Sequence, residues 1–273
     1  MKKYAKTVFT FLLLFLLPLL LINGSTAGEG VRQGLNLAYR AVLPALFPAM
    51  VVCGVIGELS EYIPLPTAWT VWITSHLCGF PLGIRTLTRT YQRGLLSREQ
   101  TIRLSTCCAN ASPAFLMVYA GEKILGSFKA GVFLFIGQLL ISFFIGLFSG
   151  AFKIAPTPPP DEKSLLGAVV DSLSAASLGA LTLTGYITFF AMLAALLKEF
   201  PFFEYLYGFL EVTGGLRGGF YIAGAMVGFS GCSAILQNAA YLEAADLPIL
   251  PLLGGKIIYT LGIPLIGRIL NLF

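Results

Sequence analysis

Residues 107–115 read Cys107-Cys108-Ala109-Asn110-Ala111-Ser112-Pro113-Ala114-Phe115, a run of small and polar residues inside an apolar stretch from 103 to 121. Pro113 has no amide hydrogen to donate and its ring crowds the preceding turn. A helix through this stretch therefore breaks, freeing carbonyls near Asn110. Asn110 and Ser112 add side-chain donors and acceptors at the same place. A second run, Gly228-Phe229-Ser230-Gly231-Cys232-Ser233-Ala234-Ile235-Leu236-Gln237-Asn238, interrupts the apolar stretch 219–242 and sets Ser230, Ser233 and Gln237 on neighbouring turns. Small and polar residues also glue membrane helices together. Two breaks at corresponding places in two halves of a chain point instead to a binding site. Half-helix N-termini at such breaks present unpaired N–H groups and partial positive charge, which suit an anion.

Outward from these breaks the chain is apolar almost throughout. Of its 273 residues 56% are hydrophobic and 11% charged, and the mean hydropathy is +0.83. A soluble protein carries roughly a quarter charged residues, so polar side chains are too few to cover this one in water and lipid must cover part of it. Apolar stretches fall at 8–22, 34–60, 67–84, 103–121, 127–151, 165–197, 203–214, 219–242 and 249–271. They lack period-2 alternation, which argues for helices rather than a barrel. Most reach the roughly 20 residues needed to span a bilayer, whereas 67–84 and 203–214 are short and interrupted by Gly or Pro. Such segments read as re-entrant hairpins, buried in protein or facing a cavity.

Charge placement sets the expected topology. Lys2, Lys3 and Lys6 precede the first apolar stretch, which reads as an uncleaved signal-anchor helix rather than a removed signal peptide. With the N-terminus cytoplasmic, 8–22 exits and 34–60 returns. The densest basic cluster follows, Arg85, Arg89, Arg93, Arg98 and Arg103. It stays on the cytoplasmic side only if 67–84 dips in and comes back. The stretch 153–163, with Pro156-Thr157-Pro158-Pro159-Pro160 at its centre, is a stiff polar linker. It separates 31–152 from 164–273, and each part reads as a long helix, a short interrupted segment, a broken helix and a final helix. Three spans and one re-entrant segment in each turn the second part upside down relative to the first. The expected fold is thus an all-α membrane protein: an N-terminal helix within 1–30, then a polytopic bundle of two inverted repeats, about seven spans in all plus two re-entrant segments.

The hairpin tips supply further candidates. Gly79, Pro81 and Gly83 lie in Cys78-Gly79-Phe80-Pro81-Leu82-Gly83-Ile84-Arg85, and Gly214 and Gly215 lie in Glu211-Val212-Thr213-Gly214-Gly215-Leu216-Arg217-Gly218-Gly219. Charges in or beside membrane segments are costly and mark function. Arg85 or Arg217 suits a bidentate grip on a carboxylate, and Glu211 suits an arginine partner or a coupling proton. The competing roles are interfacial anchoring for Arg85 and a structural ion pair for Glu211. The candidate binding set is Asn110, Ser112, Ser230, Ser233, Gln237, Arg85, Glu211 and Thr213. Gly79, Pro81, Gly83, Pro113, Gly214, Gly215 and Gly231 shape the hairpins and breaks.

Other chemistries find no support. Cys53, Cys78, Cys107, Cys108 and Cys232 form no CxxC pair. One histidine, His76, cannot build a multi-histidine metal site or a Ser/His/Asp set, and it reads as structural or pore-lining. No Walker loop, HExxH, GxSxG or GxGxxG is present, so an enzyme, an ATP-driven pump, a metal and a cofactor are all unsupported. The net charge of +5 is spread over segment ends and gives no nucleic-acid face.

The order of these segments resembles the YlbJ-type sporulation integral membrane proteins, which carry the nucleoside-recognition or gate domain. The matching residues are Leu43-Pro44-Ala45-Leu46-Phe47-Pro48, Gly79-Phe80-Pro81-Leu82-Gly83 with Arg85, and Gly94-Leu95-Leu96-Ser97 leading to Asn110-Ala111-Ser112-Pro113-Ala114-Phe115. In the second half they are Glu211-Val212-Thr213-Gly214-Gly215 and Phe229-Ser230-Gly231-Cys232-Ser233 with Gln237. The likeness covers most of 30–270 and makes 31–152 and 164–273 gate-like repeats. It implies a multi-pass protein of the bacterial cytoplasmic membrane, or of the mother-cell-derived outer forespore membrane, that moves dipicolinic acid during sporulation. Partners would be a small anionic solute, the lipid bilayer, further copies of the chain or other sporulation membrane proteins. Two rival functions are transport of a nucleoside or other small metabolite, and a non-transporting scaffold of a sporulation complex.

Overall fold

The computed structural model describes residues 2–59, 62–153, 164–198 and 208–270, and all regular structure among them is helical. The helices are α1 (Lys2–Ile22), α2 (Gly24–Glu58), α3 (Thr67–Cys78), α4 (Leu82–Gln92), α5 (Arg98–Ser105), a π-helix (Ala114–Ile124), α6 (Phe128–Ser149), α7 (Leu165–Leu197), α8 (Phe220–Phe229), α9 (Gly231–Ala244) and α10 (Leu250–Ile269). Starts follow capping chemistry: Ser97, Ser127 and Ser164 accept from the backbone N–H of Gln100, Ala130 and Gly167. Gly150, left-handed at φ 70°, ends α6.

Five helical stretches are long and apolar enough to cross a membrane: α2, α6, α7, α8–α9 taken together, and α10. Their outward faces are bare hydrocarbon. Phe148, Leu181 and Leu261 are 83%, 70% and 68% exposed, which is tolerable for such side chains in lipid. The protein is membrane-embedded. Among the described residues α1 contributes only the shorter apolar helix Leu13–Ile22.

Three stretches show how local chemistry and packing shape the chain. The run of small and polar residues after the first apolar stretch, Asn23-Gly24-Ser25-Thr26-Ala27-Gly28, is nearly all helical, because α2 begins at Gly24. Packing overrides the poor helix propensity of its glycines. A Cβ on Gly30 would lie 2.8 Å from the Met192 Cα, and one on Gly34 2.6 Å from the Thr188 Cα, so α2 and α7 touch backbone to backbone. The stretch 103–121 is not one helix but α5, an extended run and the π-helix. The stretch 67–84 holds α3 and the start of α4, 12 and 11 residues long and joined at a tip of Gly79, Phe80 and Pro81. Neither is long enough to cross alone. Residues 154–163 of the expected linker and 203–207 of the second short segment lie outside the described residues.

Two bodies emerge from the packing. Antiparallel α2 and α7 form a pair, joined by Gly30, Gly34 and Gly54 and by the cluster Ala38, Val42, Leu183 and Ile187. A π-turn at Ala38–Val42 and Pro48 interrupt α2 along this pair. The other helices build a core around two buried clusters. One joins Trp72, Leu104, Ala151, Leu242 and Leu252; the other joins Leu116, Leu134, Val212, Ala223, Tyr259 and Ile263. Trp69 stacks on Phe152 at 4.1 Å, pinning α3 to the end of α6.

Candidate functional site

The first break is real, and the protein itself pairs many of its polar groups. Between Ser105 and Pro113 the chain is turn-like, then irregular. The Asn110 carbonyl accepts from Phe80 N at the hairpin tip, at 2.7 Å. Gln138 of α6 accepts from Ala111 N at 3.0 Å and donates to Ala111 O at 2.9 Å. The Cys107 carbonyl receives Asn110 Nδ2 at 2.7 Å and Ser142 Oγ at 2.8 Å, and Ser142 in turn accepts from Trp72 Nε1 at 2.7 Å. Asn110 Nδ2 also lies 2.9 Å from His76 Nε2 and 3.1 Å from the Tyr259 hydroxyl. The Asn110 side chain thus belongs to an internal network.

The second break sits at Ser230 and Gly231, both left-handed at φ 74° and 73°. A side chain on Gly231 would strike Val212 N at 2.8 Å, so the conformation and the close approach both favour glycine there. The facing segment begins with Glu211, whose carboxylate accepts from Thr213 N at 3.4 Å. The first hairpin tip meets the first break in a similar way: a Cβ on Gly79 would lie 2.6 Å from Ser112 N. Gly83 is held as tightly against the Cys108 carbonyl, at 2.5 Å for an added Cβ.

One residue ties the two breaks together. Lys256, 3% exposed in the middle of α10, donates to the Ala109 carbonyl of the first break and to Ser230 Oγ of the second, the latter at 2.7 Å. Around it α10 lies directly on both breaks. Gly255 abuts the Thr106 carbonyl, and the Tyr259 backbone abuts Gly228.

Between the core and the α2–α7 pair lies a small cavity of about 30 Å³, room for a water molecule or two. Its core wall carries Phe80, Ser112, Glu211, Thr213, Ser233 and Gln237, and its opposite wall carries Val42, Leu46, Leu183 and Ile187. Gln237 donates through Nε2 to Ser233 Oγ at 3.2 Å, while its Oε1 has no partner although the residue is 3% exposed. An unpaired acceptor in a buried polar wall is open to a water or a ligand.

Two more cavities lie in the same seam. Beyond Met50 and Ala176 a pocket of about 40 Å³ is bordered by Glu58, Arg85, Arg89, Arg93 and Ser172. In the other direction a wider opening of about 500 Å³ is bordered by Gln33, Tyr119, Lys198, Thr213, Gly214 and Arg217. Thr213 lines both this opening and the central cavity. Along α2 and α7 the three follow in order, each end lined by basic side chains.

Of the candidate binding residues, Ser112, Glu211, Thr213, Ser233 and Gln237 converge on the central cavity. Arg85 lines the narrow end. Asn110 and Ser230 hold the breaks from behind. Pro113 starts the π-helix, and Gly215 packs against Met226. Lys256, Gln138, Ser142 and Tyr259 had not been singled out. The signal for two of them was plain: an amide and an ammonium alone in apolar spans need partners, and those partners turn out to be the breaks. No group of three metal-ligating side chains occurs among the described residues.

Neither a family model, nor a curated protein, nor a solved structure matches the chain.

Proposed function

We propose that the protein is a membrane transporter of a small polar, anionic solute, built as two inverted repeats whose breaks meet at the central cavity. The observation that carries the reading is the convergence of five candidate residues from both halves on one small cavity, with an orphaned Gln237 acceptor among them. The seam supplies a route, and basic side chains at both ends suit an anion. Dipicolinate is the first solute to try, on the strength of the resemblance to YlbJ-type proteins. In this state the cavity is too small for it, so binding requires the α2–α7 pair and the core to separate.

A nucleoside is the second reading. The central cavity offers Phe80 and Phe115 for stacking and Gln237 for amide hydrogen bonds, and arginine does not line it.

Uptake of labelled dipicolinate into proteoliposomes decides between them. Saturable uptake by the wild type, lost in Gln237→Ala and Ser233→Ala with folding intact, is the expected result. Uptake of labelled nucleoside in its place selects the second reading. A folded protein that moves neither solute overturns both and leaves a scaffold role.

A further inference from the structure

The narrow end of the seam holds a feature that the transport reading does not require. Arg85 and Arg89 lie at i and i+4 on one face of α4, Arg93 follows as its C-cap residue, and all three border the same side. That side is the pocket closed by Glu58 of α2 and Ser172 of α7. Arg89 is taken by Glu58, in an ion pair whose carboxylate residue is 8% exposed. Arg85 is different: it is half-buried, and its guanidinium has no partner among the described residues. Across the pocket Ser172 Oγ is also without a partner, in a residue 2% exposed.

We infer that the Arg85–Ser172 pocket is an anion-binding site separate from the central cavity, taking a carboxylate or phosphate group. A fixed cation and an orphaned hydroxyl facing one small space lack only an acceptor-rich ligand, since guanidinium donates alone and a hydroxyl can donate. The positive charge of Arg85 disfavours a cation as occupant. Glu58 sets a condition on access: a dianion that bridges Arg85 and Arg89 must displace this carboxylate, whereas a monoanion need only meet Arg85 and Ser172. The Cys78 and Leu82 side chains at the inner end belong to the hairpin whose tip, Phe80, lines the central cavity. The site therefore lies on the route of the proposed transport, and its role as a staging point rests on that reading. Its existence does not.

The ligand group has two sources, a free solute or a lipid headgroup, and one set of variants separates them. Inorganic phosphate and pyridine-2,6-dicarboxylate are titrated calorimetrically into purified protein in neutral detergent, and lipids retained through purification are weighed by native mass spectrometry. The expected result is binding to the wild type that weakens about tenfold or more in Arg85→Gln, as loss of a charge-assisted contact predicts. Ser172→Ala should weaken it less. A retained anionic lipid that vanishes in Arg85→Gln, with no calorimetric signal until delipidation, identifies the headgroup as the source. Equal binding by wild type and Arg85→Gln, or no bound solute and no retained lipid in the wild type, overturns the site. Phosphate binding that depends on Arg85 in a protein without uptake keeps the site and removes the transport reading. Uptake with no Arg85-dependent binding does the reverse.

Discussion

Gln138 meets Ala111 at both of its backbone polar atoms, donating to the carbonyl at 2.9 Å and accepting from the amide at 3.0 Å. A side-chain amide here imitates a neighbouring strand, and it holds a stretch where the chain is not helical. Replacing Gln138 by Leu leaves two buried backbone groups unpaired, at about 1–3 kcal/mol each. Thermal unfolding in detergent should show a larger loss of stability for Gln138→Leu than for Gln237→Ala, which gives up one side-chain bond to Ser233. Equal stability of the two variants would mean that the break is held by other contacts.

Lys256 is expected to guard its neighbours. Cys107 and Cys108 beside the first break are both fully buried. With Lys256→Met the link between Ala109 and Ser230 is lost, and a membrane-permeant maleimide should reach these thiols faster than in the wild type. Peptide mapping by mass spectrometry reads each cysteine separately, with the more accessible Cys232 as internal reference. Unchanged protection at Cys107 and Cys108 would show that packing alone closes the break.

Two adjacent glycines in α10 give a matched comparison. A Cβ on Gly255 would lie 2.3 Å from the Thr106 carbonyl oxygen, whereas one on Gly254 meets nothing within 4 Å. Gly254→Ala should be neutral or stabilise by about 0.5–1 kcal/mol through backbone entropy. Gly255→Ala should push α10 off the break and lower the unfolding temperature. Similar midpoints for both variants would contradict the close approach.

If the solute is a dianion, Glu211 cannot face it as a carboxylate, because two negative charges in so dry a space repel strongly. Glu211 would then take up a proton whenever the solute binds. Wild-type uptake should respond to an imposed proton gradient, and Glu211→Gln should respond much less. A gradient response that survives the substitution would place the coupling proton elsewhere.

Cysteines placed at Arg93 and Lys198 should label from opposite faces of the membrane with an impermeant maleimide, since these residues border opposite ends of the seam. On the positive-inside tendency the Arg93 face is expected to be the cytoplasmic one. Labelling of both from one side would contradict a seam that crosses the bilayer.

How far the sequence could be read depended on the kind of signal. Pro113, the Ser230-Gly231 pair and Gly79 announced irregular backbone because their covalent structure restricts or frees it, and each stands at a break or a tip. The polar cavity wall was legible for a similar reason: hydroxyls and an amide beside such breaks have few other uses in an apolar chain. Asn110 shows the limit, since nothing local says whether a side chain faces the cavity or, as here, His76 and Tyr259 behind it. The helical start at Gly24 was hidden because it depends on Gly30 and Gly34 finding α7, some 150 residues away. Lys256 was hidden differently: its charge was visible, but its two partners lie in distant segments.

The central cavity has unlike walls, and this has a mechanical consequence. Its core side can form directional bonds with a guest, while Val42, Leu46, Leu183 and Ile187 offer only dispersion, which scarcely changes when one methyl replaces another. A guest would therefore be fastened to the core and merely touched by the α2–α7 pair. If the two bodies slide past one another, the guest travels with the core like a seated passenger, and the helix pair acts as the fixed tunnel wall it passes.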